Sequence, residues 1–396
     1  MDIERLEKSP VGRLIEITGT DSRFQEEYRG KAYLPDPLPA TVALSNATHA
    51  CIARTAASVA RADQAVKQLP NPSLVVRPTI RREAVSTSAL EGTYAAFTDV
   101  LEADFLGEDE MSSAVAEVRN FVLAAEEALR WIEDRPITLA MLDHLQKMLV
   151  RGTRADTAEA GHVRTTQVLI GVKDRRVSDA RFVPPPPGDH LRDGCLAWRD
   201  WIQDNHELHV IARAALGHYQ FETLHPFNDG NGRIGRLISL LQLVTVGELQ
   251  SLVVNLSPWL KSRESDYQTQ LFEVSTTGNF DPWVTFFCEA LHAHAAEAVN
   301  RVHELLNLRQ ALLDRARKAR IRGVGFMLAA DLIGYPMVTA RIVAELYHVS
   351  PQAANHAVGR LAEIGILRQR TAGRYARIFS CDPVLLILDK PDLEGA

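Results

Sequence analysis

Twelve consecutive residues constrain this chain more than any others: His225-Pro226-Phe227-Asn228-Asp229-Gly230-Asn231-Gly232-Arg233-Ile234-Gly235-Arg236. Upstream, Glu207 to Leu224 reads as a helix with few breakers; downstream, Leu237, Leu240, Leu241 and Val244 recur at the spacing of one buried helix face. The stretch is a loop slung between two helices, and its last residues open the second. Gly230 and Gly232 permit backbone turns closed to other residues and bring bare N–H groups close to a ligand. The first N–H groups of the helix beginning near Asn231 lack intrahelical partners, and the dipole there favours an anion. Arg233 and Arg236 are three apart, so they share a face and can fork onto adjacent phosphates. Asp229 is a hard oxygen ligand suited to Mg2+ bridging phosphates, and His225 titrates in the range needed to take a proton from a hydroxyl. Any two of these residues would be ordinary turn chemistry. All of them in this order read as a nucleotide phosphate cradle with a general base. It is not a P-loop, because no Gly-Lys-Ser/Thr closes it.

The rest of the chain bounds the setting. Its 396 residues are long for one core, which predicts two or three domains. No apolar run approaches spanning length and Met1-Asp2-Ile3-Glu4-Arg5 has no apolar signal region, so a soluble, cytoplasmic protein without a membrane partner is expected. Cys51, Cys195, Cys288 and Cys381 are far apart and read as small buried hydrophobes. The net charge of −6 hides an asymmetry: Arg301 to Ser380 holds 13 Lys and Arg against 5 Asp and Glu, a local +8. A basic end on an acidic chain predicts a separate module with its own partner.

Taken in order, residues 1–40 show little period and end in Leu34-Pro35-Asp36-Pro37-Leu38-Pro39, which predicts an extended surface arm. Thr41 to Lys67 and about Ile80 to Leu90 read as helices, the second stopping near Gly92. Thr87 and Glu91 share its face, with the carboxylate at the helix end where the dipole disfavours it. Ser112 to Ile132 and Ile137 to Val150 predict scaffold helices; Gly161 to Pro187 predicts a hairpin, with Val168-Leu169-Ile170 as a strand and Lys173-Asp174-Arg175-Arg176 as the turn. A helix over Leu191 to Gln203 carries Trp198 and Trp201 into the core. His206, His209 and His218 lack metal-ligand spacing. Tyr267 is balanced between lining a pocket and packing in the core. From Ala290 to Arg320 a long basic helix predicts a connector. Beyond Gly323, a helix over Thr339 to Tyr347, a turn with Ser350 as N-cap and Pro351 as first helical residue, a second helix, and a basic Leu367 to Phe379 segment follow the pattern of a winged helix-turn-helix.

His225 to Arg236 resembles the signature of the Fic family, His-Pro-Phe-x-Asp/Glu-Gly-Asn-Gly-Arg-x-x-Arg, at every fixed position. The resemblance implies a protein adenylyltransferase, moving AMP from Mg-ATP to a Ser, Thr or Tyr hydroxyl of a target protein or of the chain itself. By it, His225 is the base, Asp229 the Mg2+ ligand, and Gly230, Asn231, Gly232 and Arg233 the phosphate cradle. Arg236 holds the γ-phosphate, Phe227 packs under the loop, and Tyr267 lines the nucleotide pocket. Thr87 to Gly92 matches the family's inhibitory Ser/Thr-x-x-x-Glu-Gly/Asn, which implies that Glu91 pairs with Arg236 where the γ-phosphate would sit. Gly161 to Arg164, Val168 to Ile170, Ala180 and Pro184-Pro185 match the family's flap, which would hold a target segment on the edge of Gln167, Val168 and Leu169.

The expected architecture is mainly α, a Fic helical core with a β-hairpin flap and a C-terminal winged helix-turn-helix. Its divisions are an N-terminal part (1–110) with the inhibitory helix, a core (111–300), a helical connector (301–325) and the winged module (326–396). That module offers Gln352, Asn355, His356 and Arg360 to DNA bases, with Arg368, Arg370, Arg374 and Arg377 for phosphates, or the same face to a protein. A homodimer, removal of AMP with Glu91 aligning water, another nucleotide donor, and a DNA-binding regulator with the Fic domain as sensor all stay open at this level.

Overall fold

The computed structural model describes residues 1–21, 26–69, 71–105, 107, 110–171, 177–204, 207–371 and 377–390. The first forty residues are not the expected arm. A short helix α1 (Ile3–Leu6) leads into an antiparallel ribbon, β1 (Gly12–Asp21) and β2 (Glu26–Pro35), with Gly12 opposite Pro35 and Ile17 opposite Gly30. One face of the ribbon packs Ile17 and Ala32 against Ala180 and Val183, and the Tyr33 N–H donates to Val183 O at 2.9 Å. The ribbon props up the segment expected to be the flap. Among the described residues the flap shows one antiparallel bridge, Ile170 with Phe182, and no regular strand over 168–170. The turn expected over Lys173 to Arg176 lies outside the described residues.

Helices α2 (Asn46–Lys67), α3 (Ser73–Leu90), α4 (Phe97–Glu102), α5 (Ser113–Trp131), α6 (Leu139–Val150), α7 (Asp189–Gln203), α8 (Val210–Leu224) and α9 (Asn231–Thr245) follow. Three of them start where a short polar side chain takes an orphan N–H: Ser45 caps Thr48, Ser112 caps Val115, and Thr138 caps Met141. Helix α3 starts seven residues before the expected Ile80, with Pro78 inside it. Proline in a helix interior costs on the order of 3 kcal/mol. Buried Leu74, Val75, Ile80 and Ala84 give the packing that overrides it. Helices α8 and α9 are buried almost all round, which explains why their sequences are apolar on more than one face.

Helices α10 (Ser257–Ser262), α11 (Glu264–Thr277) and α12 (Asp281–Lys318) complete the main body, and α12 runs 38 residues without a break along α2. The C-terminal elements are α13 (Val324–Asp331), β3 (Met337–Val338), α14 (Ala340–Tyr347), α15 (Pro351–Glu363), β4 (Arg368–Gln369), β5 (Phe379–Ser380) and α16 (Asp382–Leu388). Their three short strands pair in the order β3-β5-β4. Ser350 caps α15 through the Ala353 N–H, with Pro351 at its first position. Gln352, Asn355 and His356 are exposed on α15. Arg360 pairs with Glu363, Arg368 with Asp382 and Arg370 with Glu102, while Arg374 lies outside the described residues. Among the described residues no helix is long and apolar enough to cross a membrane, and all four cysteines are buried and free.

Trp283 of α12 closes the core behind the candidate site. It is fully buried, donates Nε1–H to Ala215 O at 2.7 Å, and stacks on His218 at 5.8 Å between centroids. Replacing it, Trp283→Ala, is expected to cost about 3–5 kcal/mol, read as a drop in the urea midpoint with an unchanged slope.

Candidate active site

The catalytic candidates are placed by two helix ends that face each other. Helix α8 stops at His225, which takes a left-handed conformation (φ 51°) with its N–H on Phe221 O. A non-glycine residue there is strained, and the surroundings must hold it. Arg164 does so. Its backbone N–H donates to Pro226 O at 2.9 Å, and its buried guanidinium donates to His225 O at 2.8 Å, Thr166 O at 3.0 Å and Pro185 O at 2.5 Å. No carboxylate is among these partners, and burial lowers the Arg164 pKa to about 10. With Leu224 O at 3.4 Å as the fourth, the carbonyls gathered on this cation lock the His225–Pro226 turn to the base of the flap.

The loop then folds on itself. Asn231 closes it with two bonds to Phe227, accepting from its N–H at 2.8 Å and donating to its carbonyl at 2.7 Å, while the Phe227 ring is buried beneath. Gly230 is the left-handed N-cap of α9 (φ 86°), and a Cβ there would stand 2.7 Å from Leu149 Cδ2. A side chain at Gly232 would collide with Glu91 Oε1. Both glycines are therefore required by geometry, and the N–H groups opening α9 stay uncovered by side chains of their own. Gln146 ties this loop to the flap base, donating to Asp229 O at 3.1 Å and accepting from the Gly161 N–H at 2.5 Å.

The two arginines are held differently. Arg233 is buried between two acids, Asp229 at 2.7 Å and Glu117 at 2.5 Å, and Thr93 donates to the same Glu117 oxygen at 3.0 Å. Arg236 is buried against the end of α3. Its Nε donates to Thr87 Oγ1 at 2.8 Å, and its Nη2 donates to Glu91 Oε1 at 2.7 Å and Thr87 O at 3.2 Å. The Glu91 side chain is 35% exposed against 2% for Arg236. Burial pushes the Glu91 carboxyl up, but Arg236, with Arg233 and His225, outweighs it and holds the group below the usual carboxylate range. Gly92 follows with φ 85°, ending the helix.

Two clefts meet at this pair. One, of about 270 Å³, is walled by Leu90, Ile170, Phe182, Leu271 and Phe272. The other is polar and runs past Gly92, Asp229, Asn231 and Arg233, with Leu169 on its rim. Glu91, His225 and Gly232 belong to both. Gln167 folds its amide back onto Val168 O and Pro184 O, so its side chain serves the flap base. Tyr267 reaches the apolar cleft and is also core: it is buried and its hydroxyl bonds His218 Nε2 at 2.7 Å. His218 is a structural histidine, lowered by burial to about 3, and His209 caps α8 through the Ile211 N–H; His206 lies outside the described residues. Asp229 is the candidate metal ligand, and among the described residues no three His, Cys, Asp or Glu are grouped to hold an ion. That suits a Mg2+ completed by substrate phosphates.

Burial and the nearby Arg164 cation lower the His225 pKa to about 4, so its ring is neutral at pH 7. Nδ1 lies 3.2 Å from Glu222 O, which fixes the proton there and leaves Nε2 as the acceptor. Glu222 also carries a half-buried carboxyl whose Oε1 has no hydrogen-bond partner among the described residues, and burial raises its pKa to about 7. Sequence reasoning singled out neither Glu117, Gln146 nor Glu222, because each acts through a partner distant in the chain or through burial. The two shifts act on stability in opposite directions. Between about pH 4 and 6.5 the unfolded chain binds the proton that folded His225 refuses, so stability rises with pH; for Glu222 the folded chain keeps a proton up to about 7, so stability falls as pH rises. Glu222→Gln is therefore expected to steepen the gain in stability from pH 4.5 to 7, measured by urea unfolding at both pH values. An unchanged profile would mean that the carboxyl titrates normally.

Residues 49–130 match the Fic/DOC family N-terminal domain and residues 136–243 match the Fic/DOC family domain. Over 136 residues the chain is 36% identical to protein adenylyltransferase Fic of Nematostella vectensis, across 32% of this chain and 29% of that protein. Over 95 residues it is 39% identical to protein adenylyltransferase fic-1 of Caenorhabditis elegans, across 24% of this chain and 17% of that one. The chain thus spans less than a third of the length of either relative. A crystal structure of a Fic family protein from Desulfovibrio desulfuricans G20 superposes with a TM-score of 0.57 at 20% identity, covering 87% of this chain and 98% of that one, which is a likeness of fold.

Proposed function

We propose that this chain, which carries a Fic N-terminal domain followed by a Fic domain, transfers AMP from Mg-ATP to a hydroxyl side chain of a target protein and is restrained by Glu91. The observation that carries this reading is Arg236, a buried cation at the mouth of the nucleotide cleft whose outward donor is taken by Glu91 at 2.7 Å. A terminal phosphate would compete for that same donor.

The residues of the chain divide the work. The uncovered N–H groups at the start of α9, with Arg233 and Arg236, would bind the phosphates and orient the α-phosphate toward His225. The apolar cleft under Ile170 and Phe182 fits the nucleoside. Nε2 of His225 would take the hydroxyl proton as that oxygen attacks the α-phosphorus; the α–β bridging P–O bond breaks and pyrophosphate leaves with the bonding pair. Asp229 would hold Mg2+, which supplies charge neutralisation to the phosphates. The flap segment ending in the Ile170–Phe182 bridge would carry the target's extended segment alongside His225.

A second reading is supported by Glu91 lining both clefts beside His225: with AMP already on a hydroxyl, the same carboxylate could align a water for its removal. Labelled ATP separates the two. Glu91→Gly is expected to raise AMP transfer at least tenfold, the loss of about 1.4 kcal/mol of restraint or more. His225→Ala in that background should abolish labelling while leaving ATP binding in place. Equal labelling with and without His225 would remove the base assignment. No labelling in Glu91→Gly, with ATP bound, would favour AMP removal.

The acid opposite Arg233 gives a further prediction. Glu117→Gln keeps the shape but halves the negative charge facing a buried guanidinium, so ATP should compete more easily for Arg233 and the ATP Kd should fall. A weaker ATP affinity would mean that Glu117 holds Arg233 in its binding geometry.

A further inference from the structure

Glu91 sits at one end of α3, and the C-terminal elements hold the other. Gly334, just after α13, lies so close to α3 that a Cβ there would overlap the Leu74 backbone and come within 2.7 Å of its Cβ. About one turn on, the Arg77 guanidinium lies 5.1 Å from the centroid of the Tyr335 ring. The next turn presents Arg82, buried, whose Nη1 donates to Leu388 O at 2.9 Å and Lys390 O at 2.8 Å, and whose Nη2 faces Glu297 of α12 at 3.4 Å. Leu388 is the last residue of α16, where carbonyls lack intrahelical partners and the dipole favours a cation. Beyond α3, Arg370 at the end of β4 pairs with Glu102 at the end of α4 at 2.8 Å.

The middle of α3 is fixed to the main body. Glu83 accepts from the Leu256 N–H at 2.9 Å and the Ser257 N–H at 3.1 Å, and Arg81 donates to Asp104 at 2.6 Å. An 18-residue helix held near its middle is a stiff rod: what its first three turns rest on, Arg82 included, decides where its last turn points. The contacts at that last turn are short and directional, so a shift of about an ångström removes them.

We infer that the C-terminal module braces α3 and thereby keeps Glu91 on Arg236, with Arg82 as the positioning residue that couples the two. This rests on the proposed restraint by Glu91. Any ligand that favours the undocked module over the docked one then raises transfer, by no more than its difference in affinity for the two. The activity of the Fic domain is in this way readable from the far end of the chain.

The test uses full-length protein and labelled ATP, with wild type, Arg82→Ala, Arg82→Lys, Tyr335→Leu, Glu91→Gly and Arg82→Ala/Glu91→Gly. Arg82→Ala is expected to raise AMP transfer about 5-fold or more. Arg82→Lys, which keeps a cation at the end of α16, should raise it less. The double variant should gain nothing beyond Glu91→Gly. Should Arg82→Ala fail to fold, Tyr335→Leu, which removes only the ring under Arg77, carries the same expectation in smaller measure. Hydrogen exchange gives the second readout: amides of residues 85–92 should exchange faster in Arg82→Ala and Tyr335→Leu. Unchanged protection there, or, where Glu91→Gly itself gains, transfer by Arg82→Ala that stays level or falls equally in both backgrounds, overturns the brace. Faster exchange with no gain from Glu91→Gly supports the brace and rejects the restraint instead.

Discussion

A guanidinium sealed from water must be answered by acceptors, and Arg236 organises this structure because of that requirement. It sits on the second turn of α9, and what answers it comes from α3, some 145 residues earlier: the Thr87 hydroxyl, the Thr87 carbonyl and the Glu91 carboxylate. Thr87 is fully buried and satisfies the inner side of the cation. Glu91 is partly exposed and satisfies the outer side, so it can be exchanged without leaving the arginine stranded. The asymmetry separates a bond that builds the fold from one that can be replaced by a ligand.

The same logic of buried cations recurs around the loop. Arg164 answers, among the described residues, to carbonyls, and in doing so freezes the strained turn that aims His225. Arg233 answers to two acids and spans from the loop to α5. Arg82 answers to the end of α16. Each cation joins elements distant in sequence, and together they set α3, the loop, the flap base and the C-terminal elements in one frame. His225 is neutral within this frame because burial and Arg164 both oppose a second positive charge, which suits it to accept a proton.

Several helices of the chain were legible from the residues. Helix positions followed from capping residues and apolar period, as at α5, α6 and α15, whose starts fall within two residues of expectation. Two places were not. The N-terminal ribbon was hidden because its apolar alternation is brief: the ribbon buries Ile17 and Ala32 on the flap and leaves much of its other face exposed. The start of α3 was hidden by Pro78, whose local penalty tertiary packing overrides.

By itself the sequence determined the loop's turn and the helix that follows it. Twelve adjacent residues carry their own turn, their own helix start and their own side chains, and local rules suffice to read them. The pairing candidate came from the resemblance of Thr87 to Gly92 to the Fic inhibitory motif. Only the tertiary structure decided which groups face those residues. That Glu117 meets Arg233, Arg164 meets the His225 carbonyl, Gln146 bridges loop to flap, and Arg82 meets the end of α16 leaves no trace in local pattern. These contacts join positions 61 to 306 residues apart, and each exists because a polar group was buried and took the acceptor or donor that packing brought to it.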